Sequence, residues 1–279
     1  MVKLKGLNSN FARYIMLLVA EFSLRFIFFI YYYILYRLVR PLRVNAKITL
    51  FPFCEFVIDD YRYMFHKKSI QLSYISHNNN IDMIEKYSER TYFDNLMPNV
   101  DVYVLSHTGA YYTTVSKIII SHEKGSVFFV PMMDDLVKSS VSYNIKKLEL
   151  LGYIILIGSV SDRRFITRMF RRNESEKVII FPDLPPGLIF KENKSSTVDV
   201  ILFERKSRLF SGVYKLLKNQ NTSYTIVTSE HNPISRDVVY FSEEKSYVSD
   251  QDVSKDIENS ISKSLKNWKY LDVIEFYYQ

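Results

Sequence analysis

Val102-Tyr103-Val104-Leu105-Ser106-His107-Thr108-Gly109-Ala110-Tyr111-Tyr112 is the stretch on which the reading of the fold turns. Five strand-like residues run straight into a histidine, Gly109 permits a tight turn, and 110–121 carries the apolar content of a helix. Open α/β sheets bind their ligands at the carboxyl ends of the strands, so His107 is the first candidate for chemistry. On position alone, a histidine at a strand end is more often a hydrogen-bonded structural residue. A second chemical group is needed to separate the two readings.

Outward from this stretch the pattern alternates. A strand at 102–106 and a helix at 110–121 are followed by a strand at 127–130, a helix at 136–151 and a strand at 153–157. Val137, Val141, Ile145, Leu148 and Leu151 recur at three- and four-residue spacing, and Gly152 is a natural stop. Ser161 is placed to cap a basic helix reaching Arg172, and a strand follows at 178–181. Further on, a strand at 198–203, a helix at 207–218 and strands at 224–228 and 237–241 are expected. Val253, Ile257, Ile261 and Leu265 then repeat every four residues along an amphipathic helix. The alternation predicts an α/β fold with a mostly parallel central sheet and helices on both faces. Upstream, 43–56 reads as an irregular connector, 57–65 and 81–96 as helices, and Asn78-Asn79-Asn80 as a turn.

With 279 residues, 47% of them hydrophobic, the chain can bury a sizeable core. Its 22 Tyr and 20 Phe stand against only 7 Gly, and its formal net charge of +7 favours acidic partners. Cys54 is the single cysteine, which excludes an intrachain disulfide and a cysteine-rich zinc site. It lies in Phe51-Pro52-Phe53-Cys54-Glu55-Phe56, the setting of a buried, inert thiol. Nucleic-acid binding is not favoured: zinc spacing, an RNP-like aromatic strand and a helix-turn-helix signal are all missing. Nor does the sequence contain a P-loop, a GxGxxG or a GxSxG.

Residues 11–40 are the most biased part of the chain, apolar at 14–20 and 26–36 and interrupted by Glu21, Ser23 and Arg25. As a helix this segment is long enough to reach across a bilayer, but each central charge costs about 2.5–3.5 kcal/mol on insertion scales. Glu21 and Arg25 are spaced to pair on one helical face. Arg13, Arg37, Arg40 and Arg43 flank the apolar blocks, with Lys3 and Lys5 upstream, so both ends have cytoplasmic character. This predicts a membrane-associated N-terminal helix over 1–43, lying on or dipping into the inner leaflet, ahead of an α/β domain over 44–279. The competing reading is a core helix of a soluble protein. No small-residue cleavage site follows the run, which argues against secretion.

Two predicted strand ends carry suggestive groups: His107 after the first, and Phe181-Pro182-Asp183-Leu184-Pro185-Pro186-Gly187 after the fourth. In a parallel sheet both fall on one edge, where a histidine can act as general base on a hydroxyl. The order of parts resembles the lysophospholipid acyltransferase-like superfamily, and within it the late lipid A acyltransferase branch, which adds lauroyl or myristoyl chains. The matching parts are 11–40, Ser106-His107-Thr108-Gly109-Ala110-Tyr111-Tyr112, 178–183, 198–203 and 208–217 with Gly212, covering most of the chain from residue 11 to about 230.

The resemblance implies an inner-membrane enzyme, on the cytoplasmic face, that needs no metal or cofactor. Its donor would be an acyl carrier protein or acyl-CoA thioester, and its acceptor the hydroxyl of a membrane lipid or glycolipid. It also exposes three departures. The family's motif acid falls on Tyr112, whose phenol can orient a ring but supplies no charge near neutral pH. The basic residue expected after the second strand is missing from Pro131-Met132-Met133-Asp134-Asp135, and the aromatic-basic ending is missing from 270–279. Either another carboxylate serves, Asp183 first with Asp134 or Asp135 behind it, or the fold is a lipid or carrier-protein binding module with impaired catalysis. Backbone N–H groups near Gly109 or Gly187 are candidates for holding an oxyanion. Arg163, Arg164, Arg168, Arg171 and Arg172 form a basic cluster that either steers an acidic carrier protein or is a solvated helix face.

Overall fold

The runs that read as strands are apolar at nearly every position, the mark of strands covered on both faces rather than one. A computed structural model describes residues 91–138, 140–189, 197–219, 222–232 and 236–278, together with 47–51, 54–57 and isolated positions between 19 and 89. Its elements are β1 (Lys47–Phe51), β2 (Cys54–Val57), β3 (Thr91–Phe93), β4 (Val102–Leu105), α1 (Tyr111–Ile120) and β5 (Val127–Met132). There follow α2 (Asp134–Val137), α3 (Ser140–Lys146), β6 (Ile154–Ser159), α4 (Arg163–Phe170), β7 (Lys177–Ile180) and α5 (Pro186–Ile189). The last are β8 (Thr197–Leu202), β9 (Arg205–Phe210), α6 (Ser211–Leu217), β10 (Ser223–Glu230), β11 (Asp237–Phe241), β12 (Lys245–Ser246) and α7 (Asp250–Lys263).

The central sheet has the order β3-β11-β10-β4-β7-β5-β6, with β12 beside β10. From β10 through β6 every neighbouring pair is parallel, and β11 runs antiparallel to β10. The period-two alternation of strands sorts the side chains into two cores. Val102 and Val104, with Val178 and Ile180, face a layer formed by the β8–β9 hairpin, α6, α7 and Trp268. Tyr103, Leu105 and Ile179 face the opposite layer, to which α1 contributes Val115, Ile118 and Ile119. The connection leaving β4 therefore covers one face, while that leaving β7 covers the other. The carboxyl ends of these two strands are where open α/β sheets place their ligands.

Several local expectations give way to the structure. The helix expected over 136–151 is divided into α2, α3 and a 3₁₀ turn at Lys147–Leu151, which ends at Gly152 with φ +94°. Asp162, not Ser161, caps α4, accepting from the N–H groups of Arg164 and Phe165. The helix expected over 207–218 starts only at Ser211. Its first part is strand β9, in which Ser207 and Leu209 are buried and Lys206 is exposed, and which pairs with β8 as a hairpin outside the central sheet. Of the helix expected over 81–96, Ile84, Ser88 and Glu89 are helical, but Thr91–Phe93 form β3, which pairs with β11. Part of the expected connector at 43–56 forms the antiparallel pair β1–β2.

Among the described residues no helix is long and apolar enough to cross a membrane. The N-terminal helix expected over 11–40 lies outside the described residues except at Val19, Ser23, Phe26, Ile27 and Ile30, which are helical and exposed. The helix expected at 57–65 also lies outside them, beyond Val57 in β2, as does the turn at 78–80.

Candidate functional site

Strands β4 and β7 are in register, Val102 opposite Val178 and Val104 opposite Ile180. Three residues beyond these last partners the chain reaches His107 on one strand and Asp183 on the other. The sheet thus delivers an imidazole and a carboxylate side by side.

Asp183 is fully buried, and its carboxylate meets three nitrogens. Oδ1 lies 2.7 Å from Nδ1 of His107, while Oδ2 accepts from the His107 backbone N–H at 2.7 Å and from the Trp268 indole N–H at 3.0 Å. The Asp183 carbonyl accepts from the hydroxyl of Tyr277. An ionised carboxylate only accepts, so Nδ1 of the ring carries a proton, and in the neutral imidazole it is Nε2 that keeps the lone pair. Nε2 makes no hydrogen bond with the described residues. The His107 side chain is 13% exposed.

Three rings hold the imidazole in place, with centroids at 4.5 Å for Phe181, 4.8 Å for Tyr111 and 5.1 Å for Tyr270. Burial, reinforced by the charge of Asp183, pushes the Tyr270 and Tyr277 phenols far up, so both keep their protons at any ordinary pH. The segment carrying these residues is tied to the His107 loop through its backbone. Lys269 N–H donates to the His107 carbonyl at 2.9 Å, Gly109 N–H donates to the Asn267 carbonyl at 3.1 Å, and Thr108 forms a bridge with Trp268.

These bonds revise the roles expected of the glycines. Gly109 has φ +52°, and a Cβ there would lie 2.7 Å from the Ser229 carbonyl. It is a turn and close-approach residue, and its N–H is committed to Asn267 rather than directed at a substrate. A Cβ on Gly187 would lie 2.7 Å from the Phe276 carbonyl, so that glycine serves the packing of α5 against the C-terminal segment. Tyr112 is buried in α1, and its neighbour Tyr111 is the ring against the imidazole. Asp134 is remote from the pair in its contacts: it accepts from Ser159 and from Ser161, the latter at 2.6 Å, across the ends of β5 and β6. The side chain of Asp135 lies outside the described residues.

The basic cluster is divided as well. Arg163, Arg164 and Arg171 are exposed on or beside α4. Arg168 makes a two-pronged ion pair with Glu176, and Arg172 is half-buried beside Thr222. Arg168, itself exposed, and Arg172 are thus committed to contacts within the chain, and the cluster is not a single free face.

Trp268, Tyr270, Tyr277, Tyr111 and Phe181 complete the site, and none was singled out from the sequence. The one available signal was that the chain's single tryptophan falls in an aromatic C-terminal stretch. No family model matches the sequence, and no match was found among curated proteins.

Proposed function

We propose that the chain is an acyltransferase in which His107 is the general base and Asp183 its orienting carboxylate. The observation that carries the reading is the pairing of the His107 ring with a wholly buried carboxylate at the carboxyl edge of a parallel sheet. Nε2 takes the proton from an acceptor hydroxyl, and the alkoxide oxygen attacks the carbonyl carbon of an acyl thioester. The tetrahedral intermediate collapses with breakage of the C–S bond, and the imidazolium returns its proton to the departing thiolate. The products are an ester and a free carrier thiol. The amino end of α1, four residues after His107, offers the partial positive charge that favours a developing oxyanion.

The donor in this reading is an acyl carrier protein or acyl-CoA thioester. The exposed Arg163, Arg164 and Arg171 are suited to steer an acidic carrier. The acceptor is the hydroxyl of a lipid A-type glycolipid or related membrane lipid, reached from the cytoplasmic face of the inner membrane. Val19, Phe26, Ile27 and Ile30 support that placement: they are exposed apolar positions at helical spacing, in a segment flanked by Arg13, Arg37, Arg40 and Arg43. The N-terminal 1–43 segment acts as the membrane-associated part and 44–279 as the acyltransferase-like domain. The binding-module alternative drew on the lack of an acid at Tyr112, and with Asp183 beside the ring it loses that support.

The test incubates purified full-length protein with acyl carrier thioester and membrane extract, comparing wild type with His107→Ala. Acylated lipid is expected from the wild type alone. Equal product from both proteins removes His107 from the mechanism.

A further inference from the structure

The acid–base pair accounts for two of the three donors on Asp183. The third comes from Trp268, 85 residues further along the chain. We propose that Trp268 is a positioning residue: its indole N–H holds the Asp183 carboxylate in the orientation that keeps His107 in the proton-accepting tautomer. This inference rests on the general-base reading of His107.

The argument begins with the carboxylate itself. Its terminal torsion is soft, with a broad, roughly two-fold profile, so a buried carboxylate points where its donors direct it. The backbone N–H of His107 and the indole N–H share Oδ2, which leaves Oδ1 for Nδ1 of the ring. The two His107 donors belong to one residue and move together. Trp268 is the donor contributed from a different part of the fold, and so the one that references the carboxylate to something outside the β4 loop.

An indole also suits the task chemically. It donates and cannot accept, so it favours the ionised carboxylate and cannot take a proton from the pair. A hydroxyl in the same place could reverse its hydrogen bond.

Trp268 is itself tightly held. It is fully buried, with the Tyr277 ring 5.5 Å away and the Phe203 ring 6.1 Å away. Phe203 and Glu204 form the turn between β8 and β9 at φ +51° and +59°, a left-handed conformation that non-glycine residues seldom adopt. The strained turn places the fully buried Phe203 against the indole, and the Phe203 N–H is anchored on the Glu258 carboxylate at 2.8 Å. Backbone strain of this kind persists where the surrounding structure over-determines it, and it concentrates around functional groups.

Because Trp268 is the chain's only tryptophan, its N–H can be read and removed selectively. Labelling the full-length protein with ¹⁵N-tryptophan gives one indole resonance. That resonance is expected to shift in Asp183→Asn. Biosynthetic replacement of tryptophan by β-(3-benzothienyl)alanine keeps the ring shape and deletes the donor. The replacement is expected to move the His107 ring toward the Nε2–H tautomer in ¹⁵N spectra. It is also expected to lower kcat about ten- to hundredfold with KM unchanged, the scale of one lost hydrogen bond to a charged group. An indole resonance indifferent to Asp183→Asn, or an analogue protein with the wild-type tautomer, overturns the proposal. The spectra need no substrate, so the two readings fail separately. A tautomer shift in a protein without acyl transfer supports the positioning role and sinks the acyltransferase reading instead.

Discussion

Replacing Asp183 by asparagine should separate the chemistry of the site from its architecture. The amide oxygen can occupy the place of Oδ2 and keep the bonds from the His107 backbone and from Trp268, now 2.7 and 3.0 Å long. The amide NH₂ then faces Nδ1 of His107, where Oδ1 now accepts at 2.7 Å. Two donors cannot face each other, so the imidazole must shift its proton to Nε2 and accept at Nδ1. All three contacts survive, but as bonds to a neutral group. With hydrogen bonds to charged groups worth about 1.5–3 kcal/mol and neutral ones about 1, and with a buried charge removed, the stability loss should be only about 1–3 kcal/mol. The rate should suffer far more, because a protonated Nε2 cannot take a proton. The equivalent change in a serine protease triad lowers turnover about 10⁴-fold, or roughly 5 kcal/mol of barrier. Thiol release from an acyl carrier thioester at pH 7, thermal melting and the ¹⁵N shifts of the imidazole together read both effects. A folded Asp183→Asn protein with a rate within tenfold of wild type, or with its ring proton still on Nδ1, would refute the reasoning.

Tyr112→Glu should not raise the rate, because Asp183 already holds the Nδ1 side of His107 and Tyr112 is buried. A carboxylate there should instead lower the melting temperature, by the cost of burying an unpaired charge. Glu176→Gln should weaken the fold at pH 7 in a pH-dependent way. The hydrogen bonds from Arg168 hold the Glu176 carboxyl below its ordinary 4.5, so its contribution is whole above that value and is lost as the pH falls through the folded value. In acid unfolding curves the gap between wild type and Glu176→Gln should therefore close below about pH 4.5, and a constant gap would count against the pairing. Arg163→Glu with Arg164→Glu should raise KM for the carrier thioester most strongly at low salt and leave thermal melting unchanged, since both side chains are exposed. An unchanged KM would remove the carrier surface from α4.

The parts of this fold that could be read from the sequence are those whose apolar residues answer to one period. Val102 to Leu105 and Val178 to Ile180 are apolar throughout because both faces of their strands are covered, and that pattern has few competing explanations. Val253, Ile257 and Ile261 are buried as their four-residue spacing implies. The β8–β9 hairpin was hidden because its turn is Phe203-Glu204, in place of the Asn-Gly or Asp-Gly pair that such a turn favours. Without a visible turn, the Leu209, Val213 and Leu216 spacing read as one helix, although Leu209 belongs to a strand. The long helix over 136–151 was over-read for a similar reason, since its apolar spacing runs on through the break between α2 and α3. In the site, Asp183 was legible as a candidate because it ends a strand expected beside that of His107. Trp268 and Tyr277 were not, because their contacts with Asp183 span 85 and 94 residues and leave no local pattern.

The position of the acid has a structural consequence. A carboxylate five residues after His107, at the position of Tyr112, would be carried on the turn and helix that follow the histidine. Here the carboxylate arrives on the neighbouring strand, so the geometry of the pair depends on the register of β4 against β7 rather than on the first turn of α1. The register is held from both sides: Val102, Val104, Val178 and Ile180 pack into one core, and Tyr103 and Ile179 into the other. Fraying the amino end of α1 should therefore leave the distance between His107 and Asp183 intact. A cavity under β7 at Ile179, fully buried, should loosen the pair through a residue that touches neither group. The same logic explains the large share of the site built from the segment after α7. A carboxylate outside the histidine's own turn needs an independent reference, and the strap of Asn267, Trp268, Lys269 and Tyr277 supplies one to both strand ends at once.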